Sequence, residues 1–272
     1  MNKIIKDNLK KLVSSITGTA TNGPKWMRKA AAFSLSSIDD RRQILTPHGK
    51  IIVHVGSPIE RWRADTLLTK EPETTAWLER TIAPDSVIYD VGANIGLYAL
   101  YAAHLFPKSV RAVCFEPEPI NFARLNQNIL ANDFTEQFTA YPIGLGALSR
   151  LDRLPLSSLQ GGSALHGPRM IEAGEAAHVV GINVWMLDEF CQQSTHLPNP
   201  THLKIDVDGP EFDIVRGAAS TLREPSLRHV LIEVTMDERT KVENLFQTAG
   251  FFAVSSGKKH DGMFNLIFQK NA

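Results

Sequence analysis

Two acidic residues stand at the ends of apolar runs, with a glycine-containing turn between them. Asp90 lies near the end of the run Val87–Val91 and precedes the turn Gly92–Gly96, while Glu116 follows the run Val110–Phe115. Glycine adopts positive φ and lets a ligand approach the backbone closely. An acid at the second strand end can accept both hydroxyls of a ribose, as it does in dinucleotide folds. The spacing therefore predicts a nucleoside-binding site.

The charge and the glycine spacing of the turn decide which nucleoside is expected. The turn has the pattern G-x-N-x-G, and the pyrophosphate pattern G-x-G-x-x-G is absent from it. The carboxylate of Asp90, two residues before the first glycine, would repel a pyrophosphate but suits a ligand with an ammonium group. S-adenosylmethionine has that charge. A nicotinamide-dependent oxidoreductase of Rossmann type is the alternative, and the missing glycines argue against it.

The elements around this turn alternate between buried strands and amphipathic helices. This alternation predicts an α/β, Rossmann-like fold with a parallel sheet and helices on both faces. The predicted strands cover residues 87–91, 110–115, 137–143, 203–207, 230–234, 251–254 and 264–268, and a further extended piece covers 179–184. Helices are predicted after Gly96 and over 118–132, 185–192 and 239–249, and residues 146–179 are predicted to be irregular.

Three motifs together resemble the FkbM-type family of class I S-adenosylmethionine-dependent methyltransferases. The patterns D-x-G-A-N-x-G, F-E-P and L-K-I-D-x-E-G-x-E correspond to Asp90–Gly96, Phe115–Pro117 and Leu203–Glu211, with Asp208 where the family has Glu. The resemblance covers roughly residues 65–268. It implies a seven-stranded, mostly parallel sheet whose last strand is antiparallel. It also implies methyl transfer from S-adenosylmethionine, most simply to a hydroxyl of a saccharide or natural product.

The expected cofactor site combines the turn with the neighbouring strand ends. Pro117 and Ile143 are expected to flank the purine, and the resemblance implies that Glu73 and Thr74 reach the amino-acid end of the cofactor. Pro72 also suits the first turn of a helix there. The full set of expected cofactor-binding residues is Glu73, Thr74, Asp90, Gly92, Ala93, Asn94, Gly96, Glu116, Pro117, Ile143 and Asp206.

Asp206 is the candidate catalytic residue. A carboxylate that ends an apolar strand is costly to bury unless it is paired or used, and an alcohol acceptor needs a base to take its proton. A divalent cation held by Asp206, Asp208 and Glu233 is the alternative, although no metal is predicted as a resident group. Asp208 and Glu211 are more simply explained as a helix capping box. Ser163 and His166 are weaker candidates for substrate contacts.

Composition limits the class of protein further. The 272 residues include 29 basic and 29 acidic residues, so a nucleic-acid partner is not expected, and the two cysteines suit a reducing cytoplasm. No segment is apolar enough to span a membrane. A lysine-rich amphipathic segment over residues 1–12 is predicted to pack on the domain or fray, with membrane-surface binding as the alternative. No oligomeric state is specified.

The predicted organisation has two parts. Residues 1–64 form an N-terminal extension with a helix, a linker and a hairpin over 43–55 that could serve as a lid or substrate wall. Residues 65–272 form the S-adenosylmethionine-binding methyltransferase domain. A non-catalytic cofactor-binding subunit is the remaining alternative for function.

Overall fold

The structure is a computed structural model that describes Pro24 and residues 40–164, 178–258 and 263–271. The predicted N-terminal helix and His166 lie outside the described residues, as does the linker apart from Pro24. The chain from Arg42 onward forms one compact unit. Whether residues 1–64 act as a separate extension stays a prediction.

The described residues form strands and helices that alternate along the chain. The strands are β1 (Arg41–Thr46), β2 (Gly49–His54), β3 (Val87–Val91), β4 (Arg111–Phe115), β5 (Phe138–Tyr141), β6 (Ile143–Leu145), β7 (Arg150–Leu156), β8 (His178–Trp185), β9 (His202–Ile205), β10 (His229–Thr235), β11 (Phe251–Lys258) and β12 (Met263–Lys270). The helices are α1 (Pro58–Thr66), α2 (Pro72–Thr81), α3 (Leu97–Leu105), α4 (Pro119–Ala131), α5 (Leu187–Gln193), α6 (Glu211–Arg216) and α7 (Met236–Thr248).

A seven-stranded sheet forms the centre of the unit, in the order β11-β12-β10-β9-β3-β4-β5. Strands β10, β9, β3, β4 and β5 are parallel to one another, whereas β12 is antiparallel to both β10 and β11. The Rossmann-like α/β fold and the antiparallel last strand are therefore confirmed. All carboxyl ends of the parallel strands meet at one edge, where this class of sheet binds ligands.

The two faces of the sheet bury different residues because side chains alternate along each strand. In β3, Ile88 joins the apolar cluster on one face, which also contains residues of β2, α2, α3 and α4. Val87, Tyr89 and Val91 join the cluster on the other face, with residues of α5, α6 and α7. Asp90 therefore points to the same face as Ile88, and this parity determines what the acid meets.

A second, three-stranded sheet was not predicted. It has the order β6-β8-β7, with β6 parallel and β7 antiparallel to β8. The predicted third strand of the main sheet ends early, at Tyr141, because Pro142 has no N–H to donate to a ladder. Ile143 thus begins β6 in the second sheet. The prediction of an irregular chain over 146–179 is wrong for β7, whose charged residues and Pro155 hide its strand pattern.

The segment before β3 matches local predictions. Strands β1 and β2 form a two-stranded sheet at the predicted hairpin, and Ile51 and Val53 are buried in the core. Helix α1 begins with a capping box in which Ser57 and Glu60 each accept the other's backbone N–H. Pro72 lies in the first turn of α2, as expected.

The capping box predicted at Asp208 and Glu211 is wrong. Helix α6 begins at Glu211 after Pro210, and no side chain caps it. The Glu211 carboxylate instead accepts the backbone N–H of Gly209 at 3.2 Å. The N-cap position is taken by Pro210, whose side chain has no group that could accept a helical N–H.

Among the described residues, none of the helices combines the length and apolar character that a bilayer crossing would require.

Candidate active site

The turn after β3 brings two strand ends into backbone contact. Gly92, Asn94 and Gly96 all have positive φ, at +76, +52 and +87. A Cβ atom at Gly92 would lie 2.2 Å from the backbone oxygen of Asp206, so only glycine fits there. The N–H groups of Gly92 and Ala93 donate to the carbonyl of Phe115. The turn is therefore fixed between the ends of β4 and β9.

A buried lysine lies at the centre of the site. Lys204 of β9 is the direct register partner of Asp90 in β3, and both residues are 1% exposed. The Lys204 Nζ atom lies 3.5 Å from Asp90 Oδ1 and 3.1 Å from Asp206 Oδ2. It also lies 5.1 Å from the centre of the Tyr98 ring, within range of a cation–π contact. The carboxylate of Asp90 is therefore paired with the Lys204 ammonium of the protein itself.

Electrostatics keep this lysine charged. Burial lowers the pKa of Lys204, but the carboxylates of Asp206, Asp90 and Glu71 outweigh burial and raise the pKa above its ordinary value. The pKa of Asp90 is also raised, since burial and the nearby Asp206 outweigh the attraction of Lys204. The ammonium is thus the group that permits several acids to share a small volume.

Glu71 extends the same cluster to the start of α2. Its carboxylate accepts a hydrogen bond from the Tyr98 hydroxyl at 2.9 Å and pairs with Lys70 Nζ at 2.7 Å. Thr74 is buried and donates to the same carboxylate at 3.5 Å. Glu73, by contrast, accepts a 2.7 Å hydrogen bond from Asn265 on β12. Neither Glu73 nor Thr74 lines the cavity described next, and their contact with the cofactor stays a prediction.

A cleft lined by residues of α1, the glycine turn, α3 and the end of β9 opens above the turn. Four of the predicted cofactor-binding residues line it: Gly92, Ala93, Asn94 and Asp206. Three cationic residues that were not predicted line it as well: Arg63, Lys70 and Lys204. Within the part of the chain that the structure describes, Asp206 is the only carboxylate in this lining. A quarter of its side chain is exposed, 25% against 2% for Lys204.

Glu116 lies beside the turn and is held by backbone groups. Its carboxylate accepts the N–H of Asn94 at 2.7 Å and that of Glu118 at 2.9 Å. Burial raises the pKa of Glu116 to about 7, although these two hydrogen bonds oppose the shift. Pro117 follows it directly, and Ile143 is buried in the apolar cluster around Phe115. Their contacts with ribose and purine stay predictions.

The segment Gly161–Ser163, which we call the strap, crosses over the turn. Its three carbonyls accept hydrogen bonds from Ser57, Arg63 and the Asn94 and Asn121 amides, respectively. Ser163 is 4% exposed, and its hydroxyl has no hydrogen-bond partner among the described residues. The strap thus ties α1 and α4 to the glycine turn.

Sequence reasoning missed four residues of this site: Lys204, Tyr98, Glu71 and Arg63. Lys204 carried a usable signal, because a lysine inside the apolar run Leu203–Ile205 must find a buried anion. The other three residues carried no such signal. Tyr98 and Arg63 lie within helices, and Glu71 directly precedes one, where such residue types are common.

A second group of acids lies near the ends of β9 and β10. Glu211 is fully buried, one of its carboxylate oxygens has no hydrogen-bond partner among the described residues, and Glu238 and Glu233 are close enough to interact with it. Burial, reinforced by those two acids, raises the pKa of Glu211 from 4.5 to about 8. Over the described ranges, no three acidic, histidine or cysteine side chains are arranged to hold a metal, including Asp206, Asp208 and Glu233.

Comparisons with known proteins agree with this geometry. A family model described as the methyltransferase FkbM domain matches residues 90–266. Methyltransferase 1 of Beauveria bassiana is 29% identical over 147 residues, which cover 49% of this chain and 58% of that protein. This chain thus spans less than two thirds of that relative. Hexuronic acid methyltransferase AglP of Haloferax volcanii is 28% identical over 186 residues, 66% of this chain and 68% of that protein.

A solved structure supports the fold. The methyltransferase FkbM from Methylobacillus flagellatus aligns with a TM-score of 0.50 and 16% identity, over 89% of this chain and 59% of that chain. The fold and the glycine turn define a class I methyltransferase. The family match extends over most of the chain, and the protein belongs to the FkbM methyltransferase family.

The family uses S-adenosylmethionine, and the residues present fit it. The cavity lining combines one partly exposed carboxylate, three cationic side chains and a glycine turn whose backbone a ligand can approach closely. When bound, this cofactor supplies a methyl group activated by a sulfonium. The chain's own part is to bind and orient the cofactor and to exclude water.

Replacing Lys204 by Met should lower the free energy of unfolding by roughly 3–5 kcal/mol, because it leaves buried Asp90 without its cation. Adding Asp90→Asn should recover much of this loss by removing the uncompensated charge. Urea unfolding followed by circular dichroism measures both. A double variant as unstable as Lys204→Met would contradict the pairing.

Glu211 should make stability depend on pH. Its pKa is higher in the folded state, so the folded protein binds more protons between about pH 4.5 and 8, and stability falls as pH rises through that window. Glu211→Gln should flatten this decline by at most about 1.4 kcal/mol per pH unit. Urea unfolding at several pH values tests this, with Glu243→Gln on the outer part of α7 as the control that should keep the slope.

Proposed function

We propose that this protein transfers the methyl group of S-adenosylmethionine to a hydroxyl of a saccharide or natural product. The observation that carries the proposal is the partly exposed Asp206 carboxylate, which lines the cavity at the carboxyl end of β9. The name of the hexuronic acid methyltransferase among its relatives supports a sugar-type acceptor.

Oxygen as the acceptor atom follows from what Asp206 can do. A hydroxyl becomes an effective nucleophile only as its proton leaves, and a carboxylate within hydrogen-bond reach can take that proton. The 3.1 Å contact with Lys204 fixes one carboxylate oxygen of Asp206, which supports a defined orientation for the other. Methyl transfer itself then depends mainly on alignment of acceptor and cofactor.

The remaining site residues receive roles by the same reasoning. We propose that Glu116 binds the ribose, that Pro117 and Ile143 flank the purine, and that Glu73 and Thr74 border the amino-acid end. Asp90 supports the site through Lys204. We propose the same two parts that the sequence predicts, an N-terminal extension over residues 1–64 and a catalytic domain over residues 65–272. A cytoplasmic location without a nucleic-acid partner fits the free Cys114 and Cys191 and the balanced charge.

The alternatives make different predictions. Membership in the FkbM family argues against a nicotinamide-dependent oxidoreductase, because this family uses S-adenosylmethionine. A non-catalytic subunit would bind the cofactor without transferring its methyl group.

Asp206→Asn should lower kcat by about 10²- to 10⁴-fold, because the amide cannot accept the proton. The affinity for S-adenosylhomocysteine should change little, since the amide keeps the shape and one acceptor oxygen. Calorimetric binding and single-turnover transfer separate the two effects, with Asp213→Asn on the exposed face of α6 as the control. Equal loss of binding and transfer would count against a catalytic role.

The acceptor can be found by comparing methylated saccharides and small molecules in cells with and without the protein. Each candidate is then tested with purified protein and isotopically labelled S-adenosylmethionine. Label on an acceptor oxygen supports the proposal, and label on nitrogen or carbon contradicts it. Binding of the cofactor without transfer to any cellular acceptor would favour the non-catalytic alternative.

A further inference from the structure

We infer that Arg63 holds the α-carboxylate of the cofactor. The inference depends on the cofactor of the family and not on the acceptor proposed above. It adds a residue of α1, well before the region matched by the family model, to the cofactor site.

Arg63 lines the cavity and has N–H donors that are not used within the described residues. Its Nε atom donates to the carbonyl of Gly162 at 2.5 Å. A guanidinium has five N–H donors, and across the described ranges its terminal nitrogens make no hydrogen bond. Two parallel N–H groups on a planar fork match the two oxygens of a carboxylate. Arg63 is therefore already fixed at one nitrogen and able to bind with the others.

The surroundings of Arg63 favour an anion. Lys70 also lines the cavity, although its ammonium pairs with the Glu71 carboxylate at 2.7 Å. Leu97 and Tyr98, the first residues of the nine-residue helix α3, also line the cavity. The first N–H groups of a helix lack intrahelical acceptors and carry partial positive charge. Arg63, Lys70 and the start of α3 thus all contribute positive potential to the lining of the cavity.

The other charged groups of the lining have partners within the chain. Lys204 lies 3.1 Å from Asp206, and Lys70 pairs with Glu71 at 2.7 Å. In the part of the chain that the structure describes, Arg63 is the cationic residue of the lining that pairs with no carboxylate. An anionic group of the ligand is therefore its expected partner.

Arg63→Met tests the inference through binding alone. The probes are S-adenosylhomocysteine, which has the amino-acid tail, and 5′-methylthioadenosine, which keeps adenosine and sulfur but lacks the tail. Loss of a charge-assisted pair should weaken S-adenosylhomocysteine about tenfold or more in Kd, and 5′-methylthioadenosine less than about twofold. Arg63→Lys should lie between the wild type and Arg63→Met, because it keeps the charge but loses the fork.

Arg61→Met is the matched control. Arg61 lies on the same helix, donates to the carbonyl of Val55 and does not line the cavity, so both affinities should stay unchanged. Circular dichroism and thermal unfolding confirm that each variant is folded before titration.

Three outcomes would overturn the inference. Equal weakening of both probes in Arg63→Met and Arg63→Lys would mean that Arg63 acts through Gly162 and the strap. An unchanged affinity for S-adenosylhomocysteine would mean that the carboxylate binds elsewhere. Failure of the unmodified protein to bind either probe would overturn the inference, because it would mean that the cavity does not bind this cofactor. Normal binding together with failed methyl transfer would contradict only the proposed acceptor chemistry.

Discussion

One buried ammonium holds the carboxyl edge of this sheet together. Lys204 lies among Asp90 in β3, Asp206 directly after β9 and Glu71 directly before α2. Without a cation, several carboxylates in one buried volume would be protonated or would repel each other. With it, a single carboxylate, that of Asp206, can stay at the cavity surface. The charge of the partly exposed Asp206 carboxylate therefore depends on Lys204, which is itself almost fully buried.

The sheet explains how this arrangement arises. Side chains alternate in direction, so Asp90, Lys204 and Asp206 all point to one face while their apolar neighbours fill the core on the other. Parallel pairing in register places Asp90 opposite Lys204. The turn at Gly92 then packs against the backbone of Asp206 so closely that a side chain at residue 92 would not fit. Packing, pairing and electrostatics thus act on the same few residues.

The loops give the site its remaining walls. The strap binds α1, α4 and the glycine turn through backbone carbonyls, and Arg63 connects it with the cavity. The contacts with α1 join segments that lie about a hundred residues apart along the chain. Residues that precede the family match at residue 90 thus contact the loop beside the glycine turn.

The sequence by itself determined most strands of the main sheet, the glycine turn and the acids at strand ends, including Asp206, because apolar runs and turn residues are local properties. It could not indicate the pairing of β7 with β8, whose charged residues hide the period. Nor could it bring Glu71, Tyr98 and Lys204 together. Their meeting depends on which strands pair, in what register and on which face, and these long-range choices are made by burial of the whole core and not by any local pattern.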